Sequence, residues 1–281
     1  LKTLTGIASL KAGHFDLHEE YGVACLVEAG ESVTLCLNQV PCRSWLKQEH
    51  PKIAKIIWLD FNRVVLYYDE YGGAIVSAES WNSIRFGFVD HLYISKNYIF
   101  VSYDEQSFFL SWPNALENNI ISVFSRDGRL QFGLHELCDK DRDAGKLIEI
   151  GASYTYLDHI VFIGYESEFV WNLDVLQRTW KKVPFPFEEA GLRVLTGDDK
   201  TAYAIFDHRW CRDRYPELPP FELAVFDLAS ETAAKQDFAP VEAALTAAGF
   251  DMSEIKFQPN STGRIIVSDT KKTALLEFPG V

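Results

Sequence analysis

Apolar, β-branched-rich runs recur six times along the chain, and each ends in an acidic residue or lies directly against one. They span 23–27 before Glu28, 64–68 before Asp69, 98–103 before Asp104, 160–165 before Glu166, 202–206 before Asp207, and 265–268 before Asp269. A second strand-like run follows each acidic end, at 32–37, 74–77, 120–124, 168–173, 222–226 and 273–278. Several of these lead through a turn into a more polar strand. Ser125-Arg126-Asp127-Gly128 is the clearest turn, because Asp-Gly tolerates the positive φ of a tight hairpin. Earlier strands precede the first runs, as at 53–60 and 152–158. Residues 152–183 read almost without gaps as four strands, 152–157, 160–165, 168–173 and 178–183. A repeat of this kind marks one supersecondary unit copied several times.

A four-stranded antiparallel meander repeated about six times resembles the β-propellers. The resemblance spans nearly the whole chain and is architectural. The paired Gly-His and Trp-Asp signatures of WD40 repeats do not recur, Gly72-Gly73 is a lone double glycine unlike the kelch pattern, and the unit spacing is irregular. The expected fold is all-β, a six-bladed propeller in one domain over 1–281. Blades fall near 12–48, 52–88, 91–134, 147–187, 192–238 and 252–278. The last unit stops after its third strand, so residues 1–10 are expected to supply the fourth and to cover an edge that would otherwise invite aggregation. One helix is expected, between blades at 241–248, after Pro240 and before Gly249. A pair of β-sandwiches is the alternative fold.

Composition narrows the function. The chain has 281 residues, long for an ordinary domain and normal for a closed all-β array. A net charge of −13 disfavours nucleic acid and anionic membrane surfaces, which need a basic face, and suits a basic partner or simple solubility. Cys25, Cys36, Cys42, Cys138 and Cys211 are odd in number and form no C-x-x-C. They read as reduced thiols of a cytoplasmic protein, with no structural disulfide and no zinc site. No run reaches the roughly 18 apolar residues of a membrane span, and the N-terminus lacks a signal peptide's pattern. The chain does not begin with Met, which is consistent with a removed leader. Asn260-Ser261-Thr262 matches a glycosylation sequon, idle in the cytoplasm.

The sequence contains no nucleophile elbow, H-E-x-x-H motif, P-loop or dinucleotide fingerprint. His91 and His159 each follow an Asp in similar contexts, and Trp58-Leu59-Asp60-Phe61 has the same form. The plain account is a repeated turn in which Asp caps backbone amides; the other is a metal or acid–base role. Asp139, Asp141 and Asp143 alternate as calcium ligands do. However, Gly145 falls one place late and Glu149 one place early for an EF-hand, and Lys140 and Arg142 intervene. A solvated connection is favoured over a calcium site, and no cofactor is expected.

The six acidic ends would stud one face of a propeller, unless they simply end strands. Two connections in that slot, 105–119 and 208–221, are far longer than turns need, and loops beyond about 12 residues in a compact repeat are usually functional. They carry Phe109, Trp112, Trp210, Arg212, Arg214 and Tyr215, the residue types of binding hot spots. The expected function is therefore a non-enzymatic binding or scaffold protein that holds a protein or peptide partner, a basic one by charge, through these loops. The alternative is a propeller hydrolase or lyase using central carboxylates with or without a divalent metal, since fold alone does not separate the two.

Overall fold

The structure is a computed structural model. It describes residues 2–3, 14–18, 20–50, 52–68, 72–87, 89–103, 120–138, 147, 150–164, 169–184, 192–209, 216–259, 264–276 and 278, with residues 2–3, 138 and 192–193 described by backbone alone.

The strand order is that of a six-bladed β-propeller: six four-stranded antiparallel sheets, each a meander in sequence order except the last. A short strand β1 (Lys2–Thr3) precedes them. The first sheet holds β2 (Phe15–His18), β3 (Gly22–Ala29), β4 (Ser32–Leu37) and β5 (Val40–Leu46). The second holds β6 (Ile53–Asp60), β7 (Arg63–Tyr68), β8 (Gly73–Val76) and β9 (Trp81–Ile84). The third holds β10 (His91–Ile94), β11 (Tyr98–Ser102), β12 (Ile121–Ser125) and β13 (Leu130–Gly133), followed by a single helical turn α1 (His135–Cys138) that the sequence reading did not anticipate. The fourth holds β14 (Ile150–Tyr156), β15 (His159–Gly164), β16 (Phe169–Asp174) and β17 (Thr179–Pro184). The fifth holds β18 (Leu192–Gly197), β19 (Thr201–Asp207), β20 (Phe221–Asp227) and β21 (Thr232–Gln236). After helix α2 (Ala239–Ala247) come β22 (Lys256–Pro259), β23 (Ile265–Ser268) and β24 (Thr273–Leu276).

The last sheet has the expected device. Its order is β1-β24-β23-β22, with Lys2 opposite Leu275 and Thr3 opposite Ala274. The N-terminal strand thus supplies the fourth strand that the C-terminal unit lacks.

By packing, the chain divides into two compact units, Lys11–Glu149 with the first three sheets, and Leu1–Leu10 with Ile150–Val281 carrying the other three. Within each unit the core lies between neighbouring sheets. In the first, one apolar cluster joins Leu35 and Trp45 to Ile56, Val64 and Leu66, and another joins Ile57 and Val65 to Ile99, Val101 and Phe124. In the second, Tyr154, Val161 and Ile163 pack on Leu195, Phe206 and Phe226, while Ile205 and Leu223 pack on Leu245, Ile255 and Val267. The recurrent apolar runs are the second strands of the sheets. They read as unbroken where neighbouring sheets cover both faces: in β7, Val64 and Leu66 belong to the cluster shared with the first sheet and Val65 to that shared with the third, and all three are essentially inaccessible. Fourth strands are polar because one face meets solvent, as in β21, where Thr232, Ala234, Lys235 and Gln236 are exposed.

Turn chemistry follows the sequence. Gly128 has a φ of +86° in the hairpin joining β12 to β13, and its amide donates to the Ser125 carbonyl at 2.9 Å. Asp198 accepts from the amides of Lys200 and Thr201, both at 2.8 Å, and Asp227 caps Ala229 and Ser230 in the same manner. Pro240 sits in the first turn of α2, Leu245 anchors the helix in the core, and Gly249 ends it at a φ of +76°.

Candidate functional site

In every meander the connection from second to third strand and the crossover to the next sheet leave from one end, and the two hairpins occupy the other. The long connections 105–119 and 208–221 leave from the crossover end of the third and fifth sheets. Phe109, Trp112, Trp210, Arg212, Arg214 and Tyr215 lie outside the described residues, as do Asp139, Asp141 and Asp143.

The root of the second loop is described, and it is firmly built. Asp207, at the end of β19, accepts two side-chain bonds from Arg209 at 2.9 and 2.8 Å. The same guanidinium donates to the carbonyls of Ile255 at 2.6 Å and of Met252 and Ser253, each at 3.1 Å, and stacks over the Phe221 ring at 4.6 Å. His208 donates its amide to the Pro220 carbonyl at 2.9 Å, and its Nε2 lies 3.0 Å from Glu222, which also pairs with Lys235 at 3.0 Å. Both strands of the stem are thereby tied together and fastened to the segment that precedes β22.

The acidic ends that are described serve local structure. Asp207 is consumed by Arg209. Asp269 accepts from the amides of Lys271, Lys272 and Asp251, which together hold its carboxyl below the ordinary range. Glu28 pairs with Lys47 at 2.7 Å, and that ammonium lowers its pKa. Asp69, Asp104 and Glu166 lie outside the described residues. The Asp-His pairs split. Asp90 bonds the His91 ring at 2.7 Å, and Asp60 caps the Arg63 amide at 3.0 Å while gripping its guanidinium. His159 instead stacks on Tyr156 and bonds Asn172 at 3.0 Å.

A formed concavity lies at the crossover end of the first sheet, where it meets the second. Its volume is about 330 Å³. Leu26, Val33, Trp45 and Ile53 make an apolar floor continuous with the core between these sheets, and His14, Glu28, Lys47, His50 and Lys52 form the rim. His50 stacks on Trp81 with ring centroids 3.8 Å apart, and Trp81 meets Trp45 edge-on at 5.1 Å. Desolvation in this aromatic setting lowers the His50 pKa. His14 Nδ1 is buried and has no hydrogen-bond partner among the described residues. The sequence reading passed over these residues. The available signal was Trp45 and Trp81, two large aromatics on fourth strands whose other residues are exposed or half-buried.

The first strands of neighbouring sheets lie side by side, β2 beside β6. They bring Asp16 and Lys55 near one another, with Asp90 just before β10. Burial pushes the Lys55 ammonium pKa down, against the pull of both carboxylates. Asp16 accepts the Trp58 amide at 2.8 Å, and Asp90 holds His91. The inner carboxylates of this unit therefore already have structural partners. Among the described residues no group of three or more His, Cys, Asp or Glu could hold a metal ion, and no helix is long and apolar enough to cross a membrane.

No protein-family model and no curated protein sequence matches the chain. Solved structures do resemble it. The WD40 β-propeller domain of Doa1 aligns over 93% of this chain and 77% of its own with a TM-score of 0.50 at 7% identity. The Pan2 WD40 domain of Neurospora crassa aligns over 93% and 72%, with a TM-score of 0.51 at 12% identity. A chain in the crystal structure of the Mitotic Checkpoint Complex aligns over 92% and 71%, with a TM-score of 0.51 at 8% identity. At such identities the likeness is one of fold.

Proposed function

We propose that this propeller is a non-enzymatic interaction protein that presents its crossover-end loops to a protein or peptide partner. The observation that supports this is the root of the 208–221 loop. A turn needs one or two hydrogen bonds, whereas Arg209 alone engages a carboxylate and three carbonyls. Fixing a loop root in advance lowers the ordering entropy of whatever the tip contacts. Beyond this root the sequence carries Trp210, Arg212, Arg214 and Tyr215, and the other long connection carries Phe109 and Trp112. One similar chain belongs to a multiprotein complex, in keeping with a fold used for association. In this reading the net charge of −13 steers a basic partner at long range. The protein works in the cytoplasm without a cofactor, and the segment carrying Asp139, Asp141 and Asp143 is a solvated connection.

The test is quantitative affinity capture from native lysate with the wild-type protein and with the Trp210→Ala/Arg212→Ala double variant. A partner enriched by the wild type should be depleted at least roughly tenfold by the variant, since hot-spot truncations cost about 2 kcal/mol or more. The melting temperature should stay unchanged. Equal capture by both proteins, or unfolding of the variant, overturns the assignment to this loop.

A further inference from the structure

We infer that Lys55 is a covalent ligand site, whose side-chain amine condenses reversibly with a small, uncharged aldehyde or ketone. The site is separate from the loop contacts proposed above and does not depend on them.

The strand presents this lysine in an unusual way. Lys55 is the only charged residue in the run 53–59 of β6. Ile53 and Ile56 join the apolar cluster shared with the first sheet, and Ile57 joins that shared with the third. Ile53 faces Tyr68 across the β6–β7 ladder while Lys55 faces Tyr67, so Ala54 is an extra, bulged residue. A bulge of this kind re-aims the neighbouring side chain. Lys55 is left half-buried, enclosed by the sheets and still open to solvent on part of its surface.

Its ammonium form is not neutralised by contact. Asp16 of the adjacent strand β2 and Asp90, just before β10, attract it from a distance. Both carboxylates are engaged elsewhere. Asp16 Oδ2 accepts the Trp58 amide at 2.8 Å, and Asp90 Oδ2 lies 2.7 Å from His91 Nδ1. Among the described residues Lys55 has neither a hydrogen bond nor an ion pair. Desolvation outweighs the pull of Asp16 and Asp90 and lowers its pKa. The neutral amine, with its free lone pair, is therefore favoured more than at an exposed lysine. Desolvation is a general means of making a lysine nucleophilic.

The surrounding charge selects the ligand. The amine nitrogen attacks the carbonyl carbon and a C–N bond forms. Proton transfer from nitrogen to oxygen gives a carbinolamine, whose hydroxyl takes a proton and leaves as water. The product is a protonated imine, with no net oxidation or reduction. This restores one positive charge within reach of Asp16 and Asp90, which favour it. Carbon dioxide would instead give an anionic carbamate against the same two carboxylates. A carbonyl compound that carries its own carboxylate meets the same repulsion. An uncharged aldehyde or ketone is the class that fits.

The test is competitive labelling of the full-length chain at pH 7 with limiting propanal and sodium cyanoborohydride. Hydride addition to the imine carbon fixes each adduct as a secondary amine, and peptide mass mapping gives the rate at every lysine. Exposed Lys96, Lys256 and Lys271 are the internal references. Lys55 should be modified at least roughly fivefold faster than these. The lead should vanish in denaturant, where its surroundings are lost. With glyoxylate, an aldehyde bearing a carboxylate, the lead should shrink or reverse. The inference is overturned if Lys55 reacts no faster than the exposed lysines, if its lead survives unfolding, or if glyoxylate shows the same lead as propanal.

Discussion

Arg209 holds Asp207 in a two-pronged pair, Nε to Oδ1 at 2.9 Å and Nη2 to Oδ2 at 2.8 Å. Both side chains are mostly shielded, at 26% and 13% exposure. The geometry needs a planar fork, because the remaining guanidinium protons serve the Met252, Ser253 and Ile255 carbonyls. Arg209→Ala should therefore cost about 2 kcal/mol, below the 3–5 typical of a fully buried broken pair. For a chain of this size that lowers the melting temperature by roughly 5 °C. Arg209→Lys should recover less than half of the loss. A lysine variant as stable as the wild type would show that charge alone matters here.

Gly197, at the end of β18, allows a close approach that a methyl group would block. A Cβ there would lie 2.2 Å from the Thr201 carbonyl oxygen and 2.7 Å from the Tyr154 hydroxyl. The carbonyl belongs to the sheet and cannot yield, and Tyr154 is bonded to the Asp198 carbonyl at 3.0 Å. Gly197→Ala should destabilise by about 1–3 kcal/mol, the usual cost of overpacking. Urea unfolding gives the number. An alanine variant with an unchanged midpoint would mean that this hairpin can shift.

Much of the fold was legible because burial writes itself into composition. Second strands covered on both faces became unbroken apolar runs, and β6 lies at 53–60 as the sequence indicated. The deficit of one strand in the last unit was equally visible, and β1 fills it. Fourth strands left a fainter trace, because solvent on one face permits almost any residue. That is why the pattern does not single out Trp45, which lines the hollow at the crossover end of the first sheet, or Trp81, which packs against it. The short turn α1 has too few residues to show a period. The acidic ends were a true regularity, yet Asp207 and Asp269 are explained by local pairing and amide capping, which favour carboxylates at turns whatever the function.

Cys25 and Cys36 are register partners across β3 and β4. Both are buried and free, and desolvation raises the pKa of each. The nucleophile is the thiolate, so both should react slowly with a disulfide reagent at pH 8 in the native state. In denaturant without reductant, all five cysteines of the chain should titrate. A count of three would reveal a disulfide and contradict the expected reduced state.

Alkali should destabilise the fold. Burial pushes the phenol of Tyr68, at the end of β7, from 10.0 up to about 12, outweighing the opposing influence of the Trp81 side chain. Desolvation likewise raises Tyr154, Tyr156 and Tyr203, and the thiols of Cys25, Cys36 and Cys42. All are acids that become anionic. As the pH rises past about 9, the unfolded chain releases these protons before the folded one does. The unfolded state then binds fewer protons, and stability falls with pH by linkage. Each pH unit between the unfolded and folded values of one group costs about 1.4 kcal/mol, so Tyr68 alone should account for roughly that much between pH 9 and 11. Urea midpoints measured at pH 8, 9.5 and 11 should fall progressively. Tyr68→Phe removes one titrating group and should flatten the decline. A midpoint that holds steady to pH 11, or a decline as steep in the phenylalanine variant, would show that the Tyr68 phenol ionises as readily folded as unfolded.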